Sequence, residues 1–167
     1  GYVGFTNTIK DDGTTLTQMM DKIVHRGPDS DGKYIDDDIA LGFRRLSIID
    51  LEQGSQPLFN EDKSLVLLFN GEIYNYPVLR QELVDLGHTF ATHTDSEVLV
   101  HGYEQYGTDL LNKLRGMFSF VIWDKNKKEL FGARDFFGIK PFYYAMMGDS
   151  FLFGSEIKGF LPHPEFN

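Results

Sequence analysis

No cysteine occurs in the 167 residues, so disulfides and thiolate metal sites are excluded for the chain as written. Long apolar runs are missing too: nothing approaches the ~20 residues that a membrane-spanning helix needs, and no basic-then-apolar leader opens the chain. No Asn-x-Ser/Thr acceptor site, Walker A loop, G-x-G-x-x-G fingerprint or H-E-x-x-H pair is present. Positive charge is scarce, with 16 Lys and Arg against 25 Asp and Glu and a net charge of -9. That balance argues against a nucleic-acid or anionic-membrane partner. The expectation is a cytoplasmic protein.

What is present is ordinary globular composition, 41% apolar and 25% charged, with fifteen Phe and eight Tyr suited to sheet surfaces packed against helices. Tyr2 to Phe5 is a β-prone start. Thr15-x-x-Gln18 reads as a capping box, opening a helix that places Leu16, Met20 and Ile23 on one face. Asp36-Asp37-Asp38 marks a hairpin turn, and Ile39 to Ile49 reads as a strand. Leu65 to Phe69 is another, followed by a helix with Pro77 at its first position, Gly87 just past its end and Leu79, Leu83 and Leu86 on its buried face. Thr94-x-x-Glu97 reads as a second capping box, with Leu99, Tyr103 and Tyr106 behind it. Strands then follow at Phe118–Trp123, Glu129–Ala133, Phe142–Ala145 and Phe151–Gly154. Helices grouped in mid-chain beside antiparallel strands indicate an α+β fold and disfavour a doubly wound sheet.

Some candidate sites fall away. Asp29-Ser30-Asp31-Gly32 starts like a calcium loop, but its glycine comes too early and Ala40 occupies the twelfth position. His88, His93 and His101 lack metal-ligand spacing and read as solvated or core histidines, so no metal site is expected.

Asn70-Gly71-Glu72-Ile73-Tyr74-Asn75 is more informative. Directly after an apolar strand, it offers a side-chain amide, an unobstructed glycine N–H and a carboxylate, and the first two suit a developing oxyanion. Arg45 lies in the apolar stretch Phe43–Ile49, where adjacent arginines turn to opposite faces. An inward guanidinium needs a carboxylate, either in a structural ion pair or from a substrate. Asp95, read as lying in a helix's first turn, is either a helix-start acid or a receptor for a substrate ammonium. Together Arg45 and Asp95 make a grip for a free α-amino acid, and Asn70 with Gly71 suits a side-chain carbonyl such as glutamine's.

These segments occur together with others. His25-Arg26-Gly27-Pro28-Asp29, Arg45-Leu46-Ser47-Ile48-Ile49-Asp50, Gln56-Pro57-Leu58, Asn70–Asn75, Thr94-Asp95-Ser96-Glu97-Val98, Gly116-Met117-Phe118, Arg134-Asp135-x-x-Gly138-x-Lys140-Pro141 and Ser155-Glu156-x-Lys158 stand in that order. Across its whole length the chain resembles the class II glutamine amidotransferase family, most of all the glutaminase domains of asparagine synthetases. The resemblance implies a four-layer αββα sandwich of the N-terminal-nucleophile hydrolase type, spanning residues 1–167 as one glutaminase domain. It implies that Arg45 holds the glutamine α-carboxylate, that Asp95 holds the α-ammonium with help from Glu72, and that Asn70 and Gly71 form the oxyanion hole. The backbone of Leu46, Ser47, Ile48 and Ile49 would line the pocket.

The family begins Cys-Gly-x-x-Gly, and Gly1-Tyr2-Val3-Gly4 matches from the second residue, so the nucleophilic cysteine is expected immediately before Gly1. A chain truly starting at Gly1 would bind glutamine and not hydrolyse it. No cofactor is expected in this domain. ATP and Mg belong to a C-terminal synthetase domain, which is expected to lie beyond this chain. The partners implied are L-glutamine and that synthetase domain, with a homodimer as the candidate assembly. Two rival readings are an amidotransferase feeding another acceptor, such as a sugar phosphate or phosphoribosyl substrate, and a non-catalytic glutamine-binding module.

Overall fold

The computed structural model describes residues 1–7, 13–26, 30–45 and 56–166, with the side chains of Ser30 and Arg45 outside that description. One unit is built from both ends of the chain, the other mainly from Leu58–Lys140.

The first unit carries a five-stranded antiparallel sheet. Its strands are β1 (Tyr2–Thr6), β2 (Ser30–Ile35), β3 (Ile39–Arg45), β8 (Tyr143–Met147) and β9 (Ser150–Gly154), in the order β2-β3-β1-β9-β8. The acidic turn between β2 and β3 forms as expected: Asp36 Oδ1 accepts the N–H groups of Asp38 and Ile39 at 2.7 and 2.9 Å. Helix α1 (Thr14–Asp21) buries Leu16, Met19 and Met20, and Ile23 just beyond it, against Val3, Phe5, Ala40 and Leu152. Removing each such side chain from water is worth roughly 1.5–3 kcal/mol. The expected capping box is absent. The helix starts two residues early, behind Gly13 at φ 95°, and no side chain caps it. Gly13 reaches this left-handed conformation at little cost, which puts Thr15 inside the first turn.

The second unit has a four-stranded antiparallel sheet of β4 (Leu58–Phe59), β5 (Leu65–Ile73), β6 (Gly116–Asp124) and β7 (Glu129–Arg134), in that order. Helices α2 (Tyr76–Asp85) and α3 (Glu97–Tyr106) cover one face. Leu67, Phe69 and Ile73 of β5 and Phe118, Phe120 and Ile122 of β6 alternate toward that face and meet Leu79, Leu83, Leu99 and Tyr103. Pro77 is the second residue of α2, one place later than the first position expected of it. Leu86 does not join the buried face: it is the residue that closes α2, and it is 53% exposed. Among the described residues no helix is long and apolar enough to cross a membrane.

The second capping box also gives way to something else. Helix α3 begins at Glu97 rather than behind Thr94, and the Glu97 side chain is 3% exposed. Its two carboxylate oxygens accept the N–H groups of Ala91 and Thr92, both at 2.7 Å, together with the Thr92 hydroxyl. Burial pushes this carboxyl upward, but hydrogen bonds from His101, Thr92 and Ala91 outweigh it and hold the pKa at about 2, below the usual 4.5. A depressed carboxyl stabilises the fold fully above its unfolded pKa, and the contribution disappears as pH falls toward the folded value. Between pH 4.5 and 2 the domain therefore loses stability in wild type, whereas Glu97→Ala, already destabilised by roughly 3 kcal/mol, loses less over the same range. Urea titrations at several pH values measure both effects. Parallel pH dependence in the two proteins would remove Glu97 as the acid-sensitive group.

Candidate active site

The Asn70–Asn75 segment is not a turn after a strand. Strand β5 continues to Ile73 and pairs Asn70 with Ser119, Gly71 with Phe118 and Glu72 with Met117. Gly71 has φ 134°, and a Cβ there would collide with the main-chain carbonyl oxygen of Met117. Only glycine fits so close to the neighbouring strand.

The hydrogen bonds of β6 show which way Gly71 points. Phe118 gives its N–H to Asp135 Oδ2 (3.2 Å), and its carbonyl accepts the Asp135 N–H (2.8 Å). Both main-chain groups of Phe118 thus face β7, so Gly71 and Phe118 form a non-hydrogen-bonded pair. That directs the Gly71 N–H away from β6. On the far side β4 pairs only with Val66 and Leu67. Ile73, two residues on and in the same phase, gives its N–H to Asp95 Oδ2 at 2.8 Å. The Gly71 N–H and the Asp95 carboxylate therefore lie on one edge of β5.

A cleft of about 460 Å³ opens there, lined by Glu72, Ile73, Tyr74, Tyr76 and Asp95. Asp95 precedes α3 by two residues, so the Ile73 N–H, and not a place in the helix's first turn, fixes it. Burial raises its carboxyl above the ordinary range. The Ile73 N–H opposes that rise, and repulsion from Glu72 adds to it. A cation seated between Glu72 and Asp95 would relieve both the desolvation and the repulsion, so the cleft is complementary to an ammonium group. Sequence reading missed Tyr74 and Tyr76 as lining residues, although Tyr74 lies within the Asn70–Asn75 motif and Tyr76 directly follows it. Asn75 holds the backbone in place. Its amide donates to Lys113 O (2.7 Å) and accepts from the Arg115 N–H (3.0 Å), closing the chain after β5.

In the other unit, Arg45 ends β3 opposite Ser30. Its side chain and the segment Leu46–Ile49 lie outside the described residues. The structural ion pair open to an arginine in this strand is made by its neighbour. Arg44, 15% exposed, has Nη2 2.9 Å from Asp21 Oδ1 and Nη1 3.6 Å from Asp31 Oδ2.

Two motifs far apart in sequence meet at the start of β1. Gly1 N donates to Arg44 O, and Arg44 N to Gly1 O, each at 2.8 Å, which extends the β1–β3 ladder by one pair. Tyr2 N donates to Ser155 Oγ (3.0 Å), and Ser155 N to Tyr2 O (2.9 Å). Next to Ser155, the Glu156 carboxylate lies 2.8 Å from His25 Nε2 and 3.4 Å from Arg26 Nε. The His25-Arg26 and Ser155-Glu156 segments therefore pin the first residues of the chain between two strands.

A family model described as a glutamine amidotransferase domain matches residues 1–167. Asparagine synthetase [glutamine-hydrolyzing] 1 of Bacillus subtilis (strain 168) is 51% identical over 166 residues, which cover 96% of this chain and 26% of that protein. Asparagine synthetase [glutamine-hydrolyzing] 2 of the same organism is 48% identical over 149 residues, covering 89% of this chain and 20% of its own length. The chain thus spans about a quarter of the curated relatives it matches. Glutamine phosphoribosylpyrophosphate amidotransferase from B. subtilis superposes with a TM-score of 0.80 at 23% identity, over 95% of this chain and 42% of that one. That likeness carries the fold, an α+β arrangement of antiparallel sheets and helices. With the family model matched from end to end, the chain belongs to the glutamine amidotransferase domain family.

Proposed function

We propose that this domain hydrolyses L-glutamine to glutamate and ammonia, and that the ammonia serves an asparagine synthetase domain of the same protein. The observation that carries the glutaminase reading is the edge of β5, where an oxyanion-competent glycine N–H and an ammonium-competent carboxylate face the same side. Similarity to two glutamine-hydrolysing asparagine synthetases supports the choice of acceptor.

In the proposed mechanism Arg45 binds the glutamine α-carboxylate, Asp95 and Glu72 bind the α-ammonium, and the backbone of Leu46–Ile49 lines the pocket. The nucleophile is the cysteine that the family carries immediately before this glycine. Its sulfur attacks the side-chain carbonyl carbon while the thiol proton passes to the cysteine's own α-amine. Asn70 and the Gly71 N–H stabilise the resulting oxyanion. Collapse of the tetrahedral intermediate expels ammonia, which takes up the stored proton, and water then cleaves the thioester to glutamate and restores the thiol. No cofactor enters these steps. ATP and Mg would act only in the synthetase domain.

Arg45→Ala and Asp95→Asn, each removing a charge-assisted contact to substrate, are expected to raise the KM for glutamine roughly 10- to 100-fold in the full-length protein. Ammonia release with glutamine as sole substrate reads this out, and an unaltered KM in both variants would sink the assignment. Asparagine formation from aspartate, ATP and glutamine tests the acceptor separately. Binding of glutamine by calorimetry without ammonia release would instead support a non-catalytic module.

A further inference from the structure

The spacing of His88 and His101 matches no metal motif, yet the fold brings the two rings together. His101 on α3 is 1% exposed. Its Nε2 lies 3.1 Å from the buried Glu97 carboxylate, an acceptor, so Nε2 carries the proton. The other nitrogen, Nδ1, is then a lone pair. It is buried and has no hydrogen-bond partner among the described residues, and it lies 3.2 Å from Glu61 Oε1 and 3.5 Å from Glu104 Oε1. His88 stands beside it with ring centroids 5.5 Å apart. The His88 Nε2 lies 2.9 Å from Gln105 Oε1, which sets the same tautomer and leaves Nδ1 turned to the cluster, 3.8 Å from Glu104 Oε2.

Two imidazole lone pairs and two carboxylates, one donor atom from each, all lie within 4.8 Å of one another. Such a group repels itself unless a cation sits among its members. A proton on His101 would satisfy the contact to Glu61 but leave the His88 Nδ1 lone pair facing the Glu104 carboxylate. A metal ion accounts for all four side chains.

We propose that Glu61, His88, His101 and Glu104 bind a divalent transition-metal ion of the Zn²⁺ class. Tetrahedral Zn²⁺ with bonds of about 2.0–2.1 Å spaces its ligands by roughly 3.3–3.4 Å, inside the 4.8 Å that bounds the four donor atoms here. Two neutral imidazoles favour zinc over magnesium or calcium, which prefer oxygen ligands. The two carboxylates balance the ion's charge. Glu97 and Gln105 complete the arrangement by holding the outer ring nitrogens, as partners of metal-bound histidines do. The ion would brace the turn after β4, the segment after α2 and the middle of α3. It stands apart from the glutamine chemistry and does not depend on that reading.

The test uses the full-length protein, stripped with a chelator and titrated with Zn²⁺ in excess Mg²⁺, so that magnesium sites elsewhere stay filled. The expected result is one Zn²⁺ bound with micromolar or tighter affinity, a rise in thermal midpoint, and a tetrahedral Co²⁺ absorption spectrum after substitution. His88→Gln and Glu61→Gln, both at the rim, should each weaken Zn²⁺ at least tenfold while leaving metal-free ammonia release unchanged. Absence of Zn²⁺ binding in wild type would overturn the proposal, as would equal binding in both variants. So would a His101 ring that is doubly protonated at neutral pH and unmoved by Zn²⁺ in NMR spectra.

Discussion

Asn70→Ala is expected to lower kcat for glutamine hydrolysis by about 10²–10³-fold, the usual cost of removing one oxyanion donor, and to leave KM within roughly threefold. An amide that bonds an oxygen only once it has become an oxyanion contributes to the transition state and not to the ground-state complex, so the loss falls on kcat. The variant should fold. Asn70 is only partly buried, and its main chain pairs with Ser119 whatever the side chain. Steady-state ammonia release against glutamine concentration separates the two constants. A kcat within a factor of a few of wild type would mean that the Asn70 amide does not touch the reacting oxygen.

Gly71→Ala is expected to produce a large stability loss. Two effects act at this position: a positive φ, costing about 1–3 kcal/mol in a non-glycine residue, and collision with the Met117 carbonyl, which forces β5 away from β6. The sum is expected to be about 3 kcal/mol or more, a fall in thermal midpoint of roughly 6–12 °C for a domain of this size. Gly87 provides the control. It also has a positive φ, 101°, but a Cβ there meets no atom within 4 Å, so Gly87→Ala bears the conformational cost alone. Chemical denaturation of the two variants side by side isolates the collision. Equal losses would show that the strands separate freely at Gly71.

Much of the site could be read from the sequence because its residues cluster in short segments with an unusual mix of amide, glycine and acid. The register that aims them could not. Nothing in Asn70–Asn75 says that the strand persists through Glu72. That follows from pairing with Gly116–Phe118, more than forty residues later. Both capping boxes failed for a related reason. Thr15 and Thr94 have the right spacing, but Gly13 starts one helix by its backbone alone, and Glu97 is drawn into a buried network with Thr92 and His101. Arg44 and Arg45 are indistinguishable in sequence, and only the placement of Asp21 and Asp31 identifies Arg44 as the structural ion pair. Histidines thirteen residues apart carry no metal signature, since their meeting depends on how α2 and α3 pack.

The Asp135 turn carries a consequence for how this sequence can change. By taking both main-chain groups of Phe118, it fixes the parity of the β5–β6 ladder, and that parity keeps the Gly71 N–H out of it. An insertion or deletion of one residue between Phe118 and Asp124 would reverse odd and even positions along the rest of β6, turning the Phe120 and Ile122 side chains to the opposite face. A change of two residues would restore them. Length variation within β6 therefore preserves the core face only in steps of two.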